Sequence, residues 1–231
     1  MVYITGDKHS SYRNVYSFCE KHRTTIDDIL IVLGDAGINF SLNYRDEWIK
    51  EELSELPITL FCIQGNHDKR PDDLDGYVEK KFHGGTVFVE EQYPNLIFAK
   101  DGEIYDFEYY KCLVVGGAYS VDKDYRLYMG YPWFEDEQPS EETKCRILNK
   151  LNKTQIDLVF THTCPRKYEP VEMFLDGVDQ STVDKSTEDF LNIVEEQLDY
   201  VKWFCGHWHT DKEVDNIIFM FHKIEKLVDL V

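Results

Sequence analysis

The sequence predicts an α/β fold, and two observations support this prediction. In the first third of the chain, short apolar runs rich in β-branched residues alternate with amphipathic helical patterns. This alternation of strand and helix is typical of right-handed βαβ units, which build parallel sheets. A middle stretch of short β-prone runs, separated by Gly, Pro and Asn, indicates hairpins of an antiparallel or mixed sheet.

Three predicted strands and two predicted helices make up the first part of the chain. Apolar β-prone runs predict strands at 2–5, 29–33 and 58–63. Apolar residues at helical spacing predict amphipathic helices at 12–22 and 44–56, and Pro57 stops the second helix.

The middle of the chain changes character, and the last part returns to the first pattern. An aromatic-rich connection covers 116–139, and 166–186 is irregular. The predicted middle strands lie at 86–89, 96–99, 103–107 and 111–115. The remaining predicted elements are helices at 140–152 and 187–200 and strands at 156–160, 201–205, 212–214 and 217–221. Because no linker or low-complexity tract interrupts the chain, we expect one domain over 1–231.

The chain is strongly acidic, with 44 Asp and Glu against 25 Lys and Arg and a formal net charge of −19. This charge argues against long nucleic acid as a partner, because nucleic-acid phosphates are bound by Lys and Arg. It argues equally against an anionic membrane surface. An acidic protein that handles phosphate would need bound cations to offset its own field.

The cysteines and the apolar runs indicate the compartment. Six cysteines are scattered without a CxxC pair, as is typical of small buried residues in a reducing environment. The chain enters a predicted strand at once, which leaves no room for a signal peptide. No apolar run approaches the roughly 20 residues that span a bilayer. We therefore expect a cytoplasmic protein with no membrane partner.

Polar side chains of metal-ligand and acid–base type follow the predicted strands, usually beside a glycine. These side chains are Asp7, His9, Asp35, Asn66, His67, Asp68, His162, His207 and His209. One such residue alone is compatible with an ordinary turn. The ordered set instead predicts one ligand pocket, because ligands of open α/β sheets bind at the carboxyl ends of the strands. Oxygen and nitrogen donors of this kind suit Mn, Fe, Zn, Ni or Co.

The order of these motifs resembles the calcineurin-like metallophosphoesterase superfamily. The motifs are Asp-x-His, Gly-Asp, Gly-Asn-His-Asp, a single His and Gly-His-x-His, and they extend from Asp7 to His209. The resemblance implies a four-layer α/β/β/α sandwich of two mixed sheets flanked by helices. It also implies a binuclear metal site at the strand ends.

Roles for individual residues follow from the same resemblance. One ion would take Asp7, His9, Asp35 and His209, and the other would take Asp35, Asn66, His162 and His207. His67 would be the general acid on the leaving oxygen, with Asp68 orienting it. The cofactors would be two divalent ions, Mn²⁺ first and Fe, Zn, Ni or Co as alternatives. The reaction would be in-line attack of a metal-bridging hydroxide on a phosphomonoester or phosphodiester.

The substrate is expected to be a small phosphate ester, and a small nucleotide is one possibility. Four cations near the motifs are candidates for gripping its phosphate: Arg13, Arg70, Lys123 and Arg126. For each, a surface charge or a charged turn is the competing interpretation. There are two alternative functions. The protein could be a metal-dependent nuclease that uses the same site, or a non-catalytic protein-binding scaffold with the same fold. The choice between monoester and diester and the oligomeric state stay open.

Overall fold

The computed structural model describes residues 1–151 and 153–231, and two β-sheets form its centre. Within these residues the strands are β1 (Val2–Thr5), β2 (Ile29–Val32), β3 (Thr59–Cys62), β4 (Tyr77–Phe82), β5 (Gly85–Glu90), β6 (Leu96–Ala99), β7 (Ile104–Phe107), β8 (Tyr110–Val115), β9 (Leu158–Thr161), β10 (Lys202–Cys205), β11 (Lys212–Val214), β12 (Ile217–Phe219) and β13 (Ile224–Lys226). The helices are α1 (Arg13–His22), α2 (Tyr44–Ser54), α3 (Lys123–Met129), α4 (Glu141–Leu151) and α5 (Ser186–Glu196).

Both sheets are mixed. The first has the strand order β13-β1-β2-β3-β6-β5-β4, in which β1, β2, β3 and β6 run parallel. The second has the order β11-β12-β10-β9-β8-β7, in which β12, β10, β9 and β8 run parallel. Antiparallel strands occupy the edges of each sheet. The predicted α/β class is therefore confirmed.

Three apolar clusters define four layers. The inner cluster joins side chains of both sheets, such as Ile31 and Phe61 from the first and Phe160 from the second. A second cluster packs the other face of the first sheet against α1 and α2, and a third packs the second sheet against α4 and α5. Because strand side chains alternate between faces, each sheet contributes to two clusters. This arrangement is the expected α/β/β/α sandwich.

The helices of the described chain are short, with seven to eleven residues each. None of those that can be described is long and apolar enough to cross a bilayer. The predicted helix at 140–152 corresponds to α4, and its last predicted position, residue 152, lies outside the described residues.

The structure corrects the prediction for the middle of the chain. The middle strands do not form one sheet: β4 to β6 extend the first sheet, and β7 and β8 belong to the second. Three further elements, β4, α3 and β13, were not predicted. Apart from the buried Arg126 of α3, their residues are exposed or half-buried, so their sequences lack the apolar periodicity that marks buried elements.

Candidate metal centre

The ends of five parallel strands lie at the same level, which places their following loops side by side. In the first sheet, Thr5 pairs with Val32 and Val32 pairs with Cys62. In the second sheet, Thr161 pairs with Cys205. The polar motifs follow these positions within a few residues. The register of the two sheets therefore brings side chains that are far apart in sequence to one edge of the molecule.

Three residues form the more open half of the centre: Asp7, His9 and His209. The Nε2 atoms of His9 and His209 lie 3.0 Å apart. Asp7 Oδ2 lies 3.3 Å from His209 Nε2 and 3.8 Å from His9 Nε2. The Asp7 side chain is 1% exposed, whereas those of His9 and His209 are 35% and 47% exposed. This half therefore has a buried carboxylate and two imidazoles at the surface.

The buried half of the centre is built around the side-chain oxygen of Asn66. Asn66 Oδ1 lies 2.8 Å from His162 Nε2 and 3.1 Å from His207 Nδ1. His162 is fully buried, and its Nδ1 lies 2.8 Å from the backbone oxygen of Leu33. A contact of this kind to the second ring nitrogen fixes the orientation and tautomer of a ligand histidine.

Asp35 lies between the two halves. Its Oδ2 is 3.7 Å from His9 Nε2 and 3.6 Å from His162 Nε2. Its Oδ1 accepts a hydrogen bond of 2.9 Å from the backbone N–H of His67. One oxygen is thus held by the backbone, and the other faces imidazoles of both halves.

The donor atoms fit divalent metal ions. Two groups of ligand atoms lie within 4.8 Å of one another: one from Asp7, His9 and His209, and one from Asp7, Asp35 and His162. Asp7 Oδ2 is buried and has no hydrogen-bond partner. A buried carboxylate oxygen without a donor is costly unless a cation compensates it. Carboxylate, amide and imidazole donors together suit first-row divalent metals.

The pKa values of Asp7, Asp35 and His207 are shifted toward the forms that bind metal, whereas neighbouring carboxylates raise the pKa values of His162 and His209. Burial tends to raise the pKa of Asp7 and of Asp35, but nearby imidazoles, above all that of His162, outweigh it and lower both pKa values. Burial and the neighbouring His162 lower the pKa of His207 to about 3. Ionised carboxylates and a neutral imidazole are the forms in which these groups bind metal.

The backbone of the centre is strained at four of the predicted ligands. His9, Asp35, His207 and His209 have φ values of 44°, 45°, 65° and 47°. This left-handed region is uncommon for residues other than glycine and costs roughly 1–3 kcal/mol per residue. Strain of this kind persists where the surrounding structure enforces it, which is typical of functional sites.

Two of the glycines beside the motifs are required by close packing. A Cβ atom on Gly34 would lie 2.0 Å from Nδ1 of His162, and Gly34 also has a φ of 97°. A Cβ atom on Gly65 would lie 2.0 Å from Oδ1 of Asp35. A side chain at either position would displace a predicted ligand.

The two predicted catalytic residues, His67 and Asp68, lie in different environments. The half-buried imidazole of His67 lines the cavity above the centre and packs edge-on against His9, with ring centroids 5.2 Å apart. Asp68 is buried, and its oxygens accept hydrogen bonds of 2.8 and 2.9 Å from the backbone N–H groups of Ala36 and Gly37. Asp68 thereby holds the turn that follows Asp35, and among the hydrogen bonds of the described residues none joins Asp68 to His67, the residue that it was predicted to orient.

None of the four candidate cations is among the described residues that line the cavity above the centre. Arg126 is buried and donates a 3.0 Å hydrogen bond to Ser120 Oγ. Lys123 lies 3.8 Å above the ring of Trp133. Arg70 pairs with Asp101 at 2.6 Å, and Arg13 is exposed on α1.

Ser120 contacts the predicted ligand Asn66, and this residue was not predicted from the sequence as part of the site. Its hydroxyl accepts a 2.9 Å hydrogen bond from the amide nitrogen of Asn66. This contact orients the amide so that its oxygen faces the two histidines. The signal was available, because Ser120 follows the end of β8, the neighbour of β9 in the second sheet.

A cavity of about 570 Å³ opens above the centre. One side is formed by predicted ligands and His67. The other side is formed by a segment without regular strands or helices, residues 173–183, together with Trp208, Lys185 and Glu188. We call residues 173–183 the wall segment. No role was predicted for this segment from its amino-acid sequence.

Comparisons with known proteins identify the family and proteins of similar fold. A family model described as calcineurin-like phosphoesterase matches residues 1–211. The solved structure of TT1561 from Thermus thermophilus aligns with a TM-score of 0.51 and 13% identity, over 95% of this chain and 87% of that one. A phosphopantetheinyl hydrolase from Mycobacterium tuberculosis aligns with a TM-score of 0.44 and 14% identity, over 95% and 87% of the two chains. None of the curated proteins compared matches this chain.

Proposed function

The chain belongs to the calcineurin-like phosphoesterase family, and on this premise we propose that it hydrolyses a phosphomonoester or phosphodiester with two divalent metal ions. Asp7, His9, Asp35 and His209 would hold one ion, and Asp35, Asn66, His162 and His207 the other. Mn²⁺ is the first candidate metal. Bound divalent cations supply positive charge to phosphate oxygens and promote the ionisation of water near neutral pH.

The observation that carries this proposal is the position of Asp35. Its Oδ2 lies within 3.7 Å of imidazole nitrogens from both halves of the centre. A carboxylate in this position can be shared by two cations. Two cations side by side can neutralise both the attacking and the leaving oxygen of a phosphoryl displacement.

His67 would donate the proton to the leaving alcohol. In the reaction the bond between phosphorus and the alcohol oxygen breaks, an oxygen of water becomes bonded to phosphorus, and the alcohol oxygen gains a proton. His67 faces the cavity and is not among the proposed ligands. Burial lowers its pKa more than the Asp35 carboxylate raises it. The negative charge of a bound phosphate would raise the pKa again and favour the acid form.

Two further residues of the site would act by positioning the proposed ligands. Asp68 would hold the turn at Ala36 and Gly37 and thereby fix Asp35. Ser120 would fix the amide of Asn66. Contacts of this type, one shell away from the metal, commonly change metal affinity or activity about 10–100-fold when they are removed.

The test compares wild type with His67→Ala on two esters in the presence of Mn²⁺. With phenyl phosphate or an alkyl phosphate we expect the variant to lose about 10²–10⁴-fold in kcat, because the leaving alkoxide or phenoxide needs a proton. With p-nitrophenyl phosphate we expect a smaller loss, because p-nitrophenolate is a stable anion. Release of phosphate and of p-nitrophenol measures both rates.

The matched control is His22→Ala, at the exposed end of α1 and outside the cavity lining. It should leave both rates unchanged. Equal losses on both esters would contradict the role of His67 as an acid. If neither ester nor bis(p-nitrophenyl) phosphate is hydrolysed with Mn²⁺, Fe²⁺, Zn²⁺, Ni²⁺ or Co²⁺, the proposed function is wrong.

A further inference from the structure

The cavity above the metal centre has a strongly apolar side. Met173, Leu175 and Val178 of the wall segment line it, together with Phe174, whose ring stacks on Trp208 at 5.6 Å. Met173 and Leu175 are 37% and 61% exposed. Large apolar side chains that face an open cavity lose contact with water when a ligand covers them. A volume of about 570 Å³ lies within the range of small-molecule sites.

The same side of the cavity offers little positive charge, although the buried indole N–H of Trp208 lacks an acceptor. Apart from histidine, Lys185 is the one basic side chain among the described residues that line the cavity. Its ammonium group is already engaged, 2.8 Å from Glu169 and 4.9 Å from the centre of the Phe174 ring. Asp122 and Glu188 add acidic groups to the lining. A second phosphate or a carboxylate on the substrate would therefore meet an unfavourable field.

Two buried oxygen atoms at the cavity lack partners. Glu188 is 3% exposed and accepts a 2.9 Å hydrogen bond from Thr163 on Oε1, but its Oε2 has no partner. The side-chain oxygen of Gln180 also lacks a partner. A buried acceptor without a donor is costly. A hydroxyl or amide N–H on a ligand would satisfy the Gln180 oxygen, and an anionic group would not.

From these observations, and resting on the proposed function, we infer that the substrate carries an uncharged, largely apolar arm on its phosphate. The phosphate would lie at the metal centre, and the arm would lie along the wall segment and Trp208. This assignment favours phosphate esters of hydrophobic alcohols. It disfavours nucleoside polyphosphates, anionic phosphometabolites and free phosphosugars.

The first experiment measures kcat and KM for methyl, butyl and hexyl phosphate and for the hexyl ester that ends in a carboxylate. We expect kcat/KM to rise roughly two- to fourfold per added methylene, because each methylene buries apolar surface. The rise should appear mainly in KM, since the arm is bound in the ground state as well. The carboxylate ester should fall at least about tenfold below the hexyl ester, because the charge is desolvated beside Asp122 and Glu188.

The second experiment uses Leu175→Ser, with Val171→Ser as its matched control. Both residues are similarly exposed, at 61% and 67%, but only Leu175 belongs to the cavity lining. Because both side chains are exposed, misfolding would not explain a difference in KM between the two variants. Leu175→Ser should raise KM for hexyl phosphate about three- to tenfold and should raise KM for methyl phosphate less. Val171→Ser should change neither.

A binding measurement separates this inference from the proposed function. Titration calorimetry with hexylphosphonate and methylphosphonate, on the Mn²⁺-loaded protein, requires no turnover. Tighter binding of hexylphosphonate, weakened about three- to tenfold in Leu175→Ser, supports binding of an apolar arm even if no ester is hydrolysed. Equal binding of the two phosphonates, or equal kcat/KM for methyl and hexyl phosphate, overturns it.

Discussion

The metal centre and the wall segment form opposite sides of one cavity, yet they are built in different ways. Each predicted ligand of the centre follows a buried strand, and Asp35 and Asp7 accept hydrogen bonds from the backbone N–H groups of His67 and His207. The wall segment has only short 3-10 turns, such as Gln180–Thr182, and presents apolar side chains to the cavity.

This difference assigns different tasks to the two sides. Groups that must hold cations at fixed positions need a rigid scaffold, and the aligned ends of parallel strands provide it. Groups that choose between substrates can lie on irregular segments, whose sequence can change without disturbing the sheets. We therefore expect substitutions in the centre to abolish the reaction and substitutions in the wall segment to alter its preference.

The most severe way to break the centre is Asp35→Asn. The substitution keeps the size of the side chain and the hydrogen bond from His67, but it removes the negative charge that faces both halves. We expect a loss of several kcal/mol in transition-state stabilisation, which is at least about a thousandfold in kcat/KM. Atomic emission should show less bound metal per chain than in wild type.

Asp27→Asn is the control, because Asp27 is an exposed acidic residue outside the cavity. It should keep both the wild-type rate and the wild-type metal content. Full activity of Asp35→Asn would show that the two halves of the centre do not share this carboxylate.

The centre was predictable from sequence because each of its parts leaves a local signal. A buried strand is an apolar run, and a polar residue such as Asp7 or Asp35 directly after it stands out. The nine site residues predicted from strand ends all lie around the same edge of the two sheets, although their roles remain predictions. The prediction of a four-layer fold was also correct, because the order of the motifs resembles a family that has this fold.

The wall segment and the sheet partners were not predictable, for physical reasons. Leu175 and Val178 lie in irregular backbone, so no periodicity marks them as lining a cavity. The strands β6 and β7 are neighbours in sequence but belong to different sheets, and pairing of this kind depends on tertiary packing. The edge strand β4 is mostly exposed and charged, which hides it from an apolar pattern.

Glu188 gives a further test of the difference between the two sides of the cavity. It lies on the side opposite the metal centre, where burial disfavours the ionised form of its carboxyl group. Burial raises the pKa of Glu188 from its usual 4.5 to about 7, with Glu169 adding to the effect and Lys185 opposing it. A raised pKa means that folding favours the protonated acid. The resulting cost is absent below pH 4.5, grows between pH 4.5 and 7, and is complete above pH 7.

Glu188→Gln should therefore raise the free energy of unfolding above pH 7 by up to roughly 3 kcal/mol and change it little below pH 4.5. The glutamine oxygen can still accept the hydrogen bond from Thr163. Urea unfolding at pH 4.5 and pH 8 measures the difference. Glu196→Gln, on the exposed face of the same helix, is the control and should show no such dependence. A pH-independent gain would exclude burial of the charge as the cause.

Ser120 tests how far the rigidity of the centre extends beyond its ligands. Ser120→Ala removes the acceptor for the Asn66 amide nitrogen, so the amide can turn and present a donor where its oxygen faced His162 and His207. We expect activity at limiting Mn²⁺ to fall about 10–100-fold and to recover partly at high Mn²⁺, because a positioning contact acts through metal affinity. Ser17→Ala, on the exposed face of α1, should leave the Mn²⁺ dependence unchanged. An unchanged dependence in Ser120→Ala would mean that the two histidines alone orient Asn66, and that rigidity at this edge ends with the strand-end residues themselves.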